Sequence, residues 1–587
     1  MLKFITILLS VSNLVLFAQL SNRTNNKAIE NGSVQNYKAS NITYGYSSVL
    51  DTSRRVPGLT SWWDYWTNGN NQRKVVVLGD TVIVTHEYSD STNAQVSTGR
   101  KLFYQFSFNG GVTWQTDPVL WTTAGNAYPD LWPVFLGGNR TIVISGRQFA
   151  GGSRGYTGID VVLGAGSVTS TLIPVVGSDY FSWIIGGNQV AGCYQSGDSL
   201  FFRRFNYQTN TYDARQLIAV PPTEIAANGR KMIAASSDGQ RIFVMWYVST
   251  TGSESLVGRL STDGGNTFGA IQTIMQNGYT IGPDHMLPWF GDDVLFKPNS
   301  TNYGVAFNTQ PISSIREYKV LYWSPSVNGG NAVKIADWTN TPYLADTMWV
   351  FNQSASNLIQ VGMTYVSHPS LAYSTNGSRL FCVFSCAQKD SIFYPSASQS
   401  FMFNDLFCSY SDNDGATWSA PVRITNTPDQ DEIYPVLSKY GNTPGNFGLV
   451  YELSAFPGSS SFSQTTCPVS LNYFIYTRVD PVTGNQLPIG VNTISTEVPK
   501  SFSLEQNYPN PFNPSTKIRF NIVSKSVVTL KVYNLLGEVV SVLINNENIN
   551  PGTHEMTFNG DNNASGVYFY TLTAGNFTET KKMILVK

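Results

Sequence analysis

Ser261-Thr262-Asp263-Gly264-Gly265-Asn266-Thr267-Phe268 reads Ser-x-Asp-x-Gly-x-Thr-aromatic, and the chain repeats it. Ser107-Phe108-Asn109-Gly110-Gly111-Val112-Thr113-Trp114 is a second copy, and Ser411-Asp412-Asn413-Asp414-Gly415-Ala416-Thr417-Trp418 is a third. Ser326-Val327-Asn328-Gly329-Gly330-Asn331 is a worn fourth, without the Thr and the aromatic. Each copy follows a β-rich run, such as 102–106 or 406–410. The pattern is that of a tight turn between strands. Asp or Asn at the third position can accept bonds from the turn's own N–H groups. The glycines supply positive φ where other residues would clash. The closing Trp or Phe can fold back as an apolar plug between neighbouring strands.

Three good copies in one β-rich chain resemble the Asp-box, or BNR, repeat of the sialidase-like β-propellers. The resemblance implies that the box joins the third and fourth strands of a blade, on the side away from the ligand face. Ser107, Asn109, Gly111, Trp114, Ser261, Asp263, Gly265, Phe268, Ser411, Asn413, Gly415 and Trp418 are then structural residues, not catalytic ones. Hairpin-like units recur over 44–122, 127–175, 179–218, 225–274, 281–338, 366–425 and 432–481. A period of about 45 residues is that of a four-stranded propeller blade. The sialidase relatives have six blades, and the units at 127–175 and 179–218 lack boxes, so they could form one irregular blade. The expectation is an all-β fold with a six- or seven-bladed propeller over 44–482.

The 587 residues leave room for one large domain and one or two small ones. Charged residues make up only 13% while glycine (50) and aromatics (13%) are plentiful, which suits an extracellular, strand-rich chain. A net charge of −1 gives no support for binding nucleic acid or an anionic membrane through bulk electrostatics. Lys3, an apolar run over 4–17 and Ala18 read as a secretory signal peptide over 1–18, followed by a polar leader over 19–43. The run is shorter than the ~20 residues of a spanning helix, and no later stretch is long and apolar enough to span. Cys382 and Cys386 lie four apart on one expected strand. That is about 13 Å, too far to bridge each other. Either could pair with Cys408 across a hairpin, or all could be buried thiols. With four histidines in the chain and no Cys–His spacing that suits zinc, no metal or cofactor is expected.

A linker is expected over 483–500, and the composition changes at about 501. Asn507-Tyr508-Pro509-Asn510-Pro511-Phe512-Asn513-Pro514 cannot be a central strand, because its prolines lack an N–H. Strand-like runs follow at 527–533, 539–544, 554–558, 567–572 and 581–586, the outline of a small Ig-like β-sandwich. This segment, 501–587, resembles the type A C-terminal sorting domain of the bacterial type IX secretion system. The matching residues are that Pro-rich run, Val532-Tyr533-Asn534-Leu535-Leu536-Gly537-Glu538, Ser565-Gly566-Val567-Tyr568-Phe569-Tyr570 and Lys581-Lys582-Met583-Ile584-Leu585-Val586. The resemblance implies recognition by the type IX machinery through Asn507, Pro509, Asn510, Pro511, Phe512, Asn513, Pro514, Gly537, Gly566 and Lys582. It also implies a protein that is secreted or held on the outer-membrane surface of a Gram-negative bacterium.

In propellers the innermost strand of each blade starts at the ligand face, near the axis. The unit openings therefore supply a candidate ligand rim: Arg54, Arg55, Asp130, Asp284, His285, His368 and Tyr434. Such groups can bind polar ligands, sugars included, and Trp62, Trp63 and Trp66 can stack on a sugar ring. Sialidase chemistry uses three arginines, a Tyr nucleophile with a Glu partner, and an acid/base Asp. Arg54-Arg55-Val56-Pro57 is similar to that family's aromatic-Arg-Ile-Pro motif but has Arg54 where the aromatic belongs. Arg147, Arg203 and Arg204 sit in no motif of the family, and Glu87 and Glu224 are isolated carboxylates. A glycosidase needs two facing carboxyl groups about 5–9.5 Å apart. No nucleophile elbow or phosphate-cradling loop is present. Two readings follow: a secreted propeller that binds glycan or surface polymer, or a sialidase-like glycoside hydrolase or lyase acting on extracellular glycans.

Overall fold

A computed structural model of the chain describes residues 54–587, apart from 63–72, 92–98, 123–124, 150–153, 174–180, 187, 198, 220–230, 251–252, 277, 282–283, 312–317, 342–364, 397–398, 428, 458–469, 488–490 and 561–562. The expected signal peptide and leader, Trp63, Trp66, Glu224 and Cys467 lie outside the described residues, as do the side chains of Asp284 and His285.

The described chain is all-β. Up to residue 487 it folds into seven antiparallel sheets of four or five strands: sheet 1 (75–122), sheet 2 (126–172), sheet 3 (181–219), sheet 4 (231–276), sheet 5 (279–336), sheet 6 (366–423) and sheet 7 (431–487, with Arg55–Ser61). The unit expected at 179–218 thus makes a sheet of its own and does not merge with its neighbour. The inner strands of the sheets, the first in each except sheet 5, where it is Asp284–Phe296, adjoin one another in chain order, and sheet 1 returns to touch sheet 7, where Val77 N–H donates to Ser438 Oγ (3.0 Å). Inner strands such as Val75–Leu78, Lys231–Ala235 and Asp431–Leu437 are buried on both faces. That is why they read as near-continuous apolar runs rather than alternating ones.

One expectation needs correction. Arg55–Ser61 does not open the first sheet. It pairs with Asn472–Val479 and is the outermost strand of sheet 7, which ties the start of the fold to its end. Its sequence suits an edge. Arg55, Pro57 and Gly58 are exposed, and Pro57 has no N–H to give to a further strand. The cysteines also resolve. Cys193, Cys382, Cys386 and Cys408 are buried free thiols. Cys408 lies opposite Val383 and Cys382 opposite Ser409, so the two side chains leave opposite faces of the sheet and cannot bridge.

The Ser-x-Asp turns follow the third strand of sheets 1, 4 and 6. In sheet 4, Ser261 Oγ donates to Asp263 Oδ1 (2.7 Å) and accepts from Gly265 N–H (2.8 Å), while Thr267 N–H donates to Asp263 Oδ1 (2.9 Å). Ser107, Asn109, Gly111 and Thr113 repeat these bonds, as do Ser411, Asn413, Gly415 and Thr417. The closing aromatic reaches the preceding sheet. Phe268 meets Phe202 at 5.4 Å, Trp418 meets Tyr322 at 5.5 Å, and Trp114 meets Tyr476 at 5.9 Å between ring centroids. Each turn therefore clamps two sheets together, and the Trp114 clamp joins sheet 1 to sheet 7.

Residues 492–585 add two four-stranded sheets that share one apolar core, including Phe512, Ile518, Phe520, Val532, Tyr570 and Leu585. Alternation along Ser515–Ile522 is strict, as expected for strands with one wet face. The stretch 483–500 is not a plain linker. Gln486–Leu487 pairs into sheet 7, and Asn492–Ser495 pairs with Gly552–Asn559 in the C-terminal sandwich.

Candidate functional site

The inner strands break their ladders in a repeated way. Tyr128 (φ 56), His368 (φ 52) and Tyr434 (φ 53) are left-handed. Each precedes a proline and lies within a register shift, at 127–130, 367–370 and 433–436. The cause is local. Proline cannot donate to the ladder, so the strand bulges at that step. A left-handed bulky residue costs about 1–3 kcal/mol, which surrounding packing must hold in place. Sheet 5 bulges with Gly291 (φ 94), whose added Cβ would lie only 3.0 Å from His368 N. The His368 ring meets the Tyr434 ring edge-on at 4.8 Å. The bulges of sheets 5, 6 and 7 are thus contiguous, and His368 and Tyr434 are both fully buried within them.

The other rim candidates separate from this pair. Asp130 is buried against Arg73, taking its backbone N–H at 2.9 Å with the guanidinium 3.7 Å away. Arg73 lies over the Trp132 ring (5.3 Å) and reaches across to Ile233 O in sheet 4 (2.7 Å). A second buried ion pair, Lys439 with Asp293, joins sheets 7 and 5, and Asp293 also takes Leu371 N–H (2.8 Å). These pairs fill the space between inner strands. Arg54 and Arg55 are not at the rim, because their strand is the outer edge of sheet 7. Arg54 Nη1 donates to Thr477 Oγ1 (2.9 Å) and Leu487 O (2.8 Å).

Sequence reasoning treated Glu87 as a loose carboxylate and passed over its partners. Glu87 is the penultimate residue of the second strand of sheet 1, Thr81–Tyr88, and is fully buried. It accepts Tyr128 N–H (3.0 Å) and faces Arg100 Nη1 (3.1 Å), which also donates to Tyr128 Oη (3.3 Å). Burial pushes the Glu87 carboxyl up, and Arg100 opposes that. Lys74 Nζ donates to Pro129 O (2.9 Å), and burial pulls its pKa down to about 7 against the attraction of Glu87 and Asp130. Half-buried Phe149 lies against two guanidiniums, its ring centroid 5.6 Å from Arg100 and 4.9 Å from Arg147. No short motif spells this cluster, because its members lie on or beside five different strands. Arg100→Ala would strand the Glu87 charge, so we expect a loss of about 3–5 kcal/mol of stability. Chemical denaturation would measure it, and adding Glu87→Gln should restore part of the loss.

A second acidic group lies where sheets 6 and 7 meet. Asp405 is ion-paired with Arg423 and accepts from Gln388 Nε2 (2.9 Å). Glu432 accepts from Thr427 Oγ1. The two carboxyls are within hydrogen-bonding reach of each other, and burial favours a proton on the pair. Burial raises both, Glu432 well above the carboxylate range and Asp405 to about 6. Two carboxyls this close leave no room for the water or sugar ring that separates a glycosidase pair. The folded state holds that proton more tightly than the unfolded chain, where Asp titrates at 3.8. Both groups are raised on folding, so the pair favours folding at low pH, and that contribution is lost as pH rises from about 4, through about 6 for Asp405 and at higher pH for Glu432. We expect Glu432→Gln to match the native thermal midpoint at pH 4 and to exceed it at pH 8.

The residues expected to form the sorting signal fold onto the last strand, Phe577–Leu585. Asn507 N–H donates to Tyr570 Oη (2.8 Å), and its amide holds Thr516 Oγ1 (2.9 Å) and Pro509 O (3.1 Å). Phe512 is buried and its backbone pairs with Ile584 and Val586. Asn510 Oδ1 accepts Ile584 N–H (2.9 Å), and Lys582 O accepts Gln506 Nε2 (2.7 Å). Gly537 (φ 77) makes the turn after Asn534, and Gly566 begins the strand that pairs with the last one. The Pro-rich run and the C-terminal strand are thus one structure. Among the described residues no three His, Cys, Asp or Glu side chains gather as a metal site, and no helix is long and apolar enough to cross a membrane.

Residues 506–587 match the secretion system C-terminal sorting domain family. No curated protein matches the chain. Among solved structures, a polysaccharide lyase described as an ulvan lyase has a TM-score of 0.45 at 8% identity, covering 73% of this chain and 96% of its own. An α-L-arabinofuranosidase from Fusarium graminearum has a TM-score of 0.32 at 10% identity, covering 65% and 92%. A Hadza microbial sialidase has a TM-score of 0.27 at 11% identity, covering 41% and 52%. These likenesses are too distant to carry an inference about this chain.

Proposed function

We propose that the chain is a secreted or cell-surface protein, delivered by type IX secretion through its C-terminal domain. Its seven sheets are read as the blades of a propeller that binds a glycan or surface polymer at the end away from the Ser-x-Asp turns. The observation that carries the binding reading is the set of contiguous bulges around His368 and Tyr434, matched across the fold by the bulge at Tyr128. Strained backbone repeated on several inner strands is more than strand packing requires, and such strain concentrates at ligand sites. Next to Tyr128, the half-buried Phe149 ring has the Arg100 and Arg147 guanidiniums beside it, an aromatic with flanking donors, the residue types that hold a sugar. Phe149 follows the second strand of its sheet, at the end opposite the third-to-fourth strand turns.

The test is the affinity of the purified full chain on a glycan array, repeated with Phe149→Ala. At least tenfold weaker binding in the variant supports the reading, and unchanged binding removes Phe149 from the site. The second reading, a glycan hydrolase or lyase, is favoured by the placement of Lys74: its buried amine donates to Pro129 O (2.9 Å) next to Tyr128, and burial lowers its pKa to about 7, where the neutral amine can accept a proton.

A further inference from the structure

The two outer faces of the C-terminal sandwich differ in chemistry. One sheet is made of Asn492–Ser495, Gly552–Asn559, Ser515–Ile522 and Ser503–Leu504. Its outer face is ionic and paired within itself. Lys517 and Arg519 both meet Glu555 at 2.7 Å, and Asn521 bonds Ser503 (2.8 Å) and Thr553 (2.7 Å). That is the ordinary wet face of an antiparallel sheet.

The other sheet is made of Val539–Ile549, Ser526–Tyr533, Gly566–Ala574 and Phe577–Leu585. Its outer face is apolar at one end. Register sets Tyr533 opposite Val539 on one side and Phe569 on the other, with Val567 opposite Ile584 in the next row. Val539 is exposed and the other four are half-buried. At the same end, Leu535 and Leu536 stand in the turn that leads from Tyr533 to Val539, 69% and 82% exposed. The turn is firmly built. Asn534 Oδ1 accepts from Leu536 N–H and Glu538 N–H (both 3.0 Å), and its amide donates to Glu538 Oε2 (2.8 Å). Asn and Gly suit such a turn, whereas two leucines at its tip do not help it close. One exposed leucine would be ordinary, but a contiguous apolar group marks a contact surface. Lys582 lies opposite Phe569, and Lys531 two positions before Tyr533, which gives the group a basic rim.

The occupant follows from where this face lies. All of it falls within 506–587, the segment that matches the sorting domain family, and a sorting domain acts by being held by another protein. Asn507 and Phe512 of the Pro-rich run are each 2% exposed and spent inside the sandwich, so they are not free for that contact. We propose that Leu535, Leu536, Tyr533, Val539 and Phe569, rimmed by Lys531 and Lys582, form the surface by which the secretion apparatus grips the folded tail. The partner presents an apolar hollow edged by carboxylates, since interfaces place apolar side chains at the centre and charged ones at the rim. This inference rests on the type IX reading and names the contact within it.

Fractionation and immunoblotting of the full chain, in a host that carries type IX machinery, test it. Leu535→Glu with Leu536→Glu should lower the surface and medium fraction about tenfold or more and leave the chain inside the outer membrane. Both side chains are exposed, so the purified variant should keep the native thermal midpoint. Lys531→Glu with Lys582→Glu should lower delivery about threefold or more, and carries the test alone if the leucine variant does not fold. Thr557→Glu puts the same charge on the ionic face, opposite Lys517, and should be delivered as the native chain is. Native delivery of either folded variant would overturn the proposal, as would an equal loss in Thr557→Glu. The chain lacking 506–587 separates the two claims. If it is retained while the leucine variant is delivered, the tail still directs export and only this face falls. If it too is delivered, the type IX reading falls as well.

Discussion

Deleting residues 506–587 is expected to leave the protein inside the outer membrane of a host that carries type IX machinery, while the full chain reaches the surface or the medium. The expectation follows from how the segment is built. The Pro-rich run is pinned to the last strand through Asn510, Phe512 and Gln506, and to the sandwich interior through Asn507 and Tyr570. The Pro-rich run and the last strand are therefore parts of one folded sandwich, and a change that unfolds it should disturb both. A point change makes the same argument at smaller scale. Phe512 is 2% exposed within the sandwich core and meets Phe558 at 5.8 Å, so Phe512→Ala should cost about 3–5 kcal/mol. A small domain seldom has that much stability to spare. Fractionation followed by immunoblotting reads both variants. Equal surface delivery of the truncated chain would contradict the assignment of the tail.

Gly415→Ala should be a strongly damaging single-methyl change in the larger unit. Gly415 sits at φ +90, which strains any other residue, and an added Cβ would lie 2.1 Å from Tyr322 Cε1. Tyr322 cannot retreat, being 2% exposed and held edge-on by Trp418. Backbone strain and overpacking contribute about 1–3 kcal/mol each, so a loss of about 2–6 kcal/mol is expected. The worn turn supplies a control. Gly330 has φ +81 but nothing within 4 Å of an added Cβ, so Gly330→Ala should show the strain alone. Thermal unfolding of the two variants side by side separates the terms. Equal midpoints would mean that the aromatic clamp between sheets adds nothing.

What could be read from the sequence was what is local. The Ser-x-Asp turns make all their internal bonds within five residues, so spelling and structure coincide. The Pro-rich run is legible for the same reason. Its missing N–H groups forbid a central strand, and it packs against the last strand instead of joining a sheet centre. The assignment of Arg55–Ser61 failed because closure pairs it with residues more than four hundred positions away, and no local pattern records a partner at that distance. Exposed Arg55 and Pro57 were the available signal, since an edge strand tolerates both. Inner-strand prolines pointed to His368 and Tyr434, and the structure brings those two rings together. Glu87, Arg100, Asp405 and Glu432 were not legible as groups. Each draws its partners from separate strands, and only sheet packing juxtaposes them.

The measurement that bears most directly on the central claim is a glycan screen of the purified full chain, with the retained material analysed by mass spectrometry. The account predicts that at least one glycan is retained and recovered intact. Recovery of shortened or unsaturated products would contradict it in favour of a hydrolase or lyase. Retention of no glycan would contradict it as well, and would turn the search for a partner toward proteins of the cell surface.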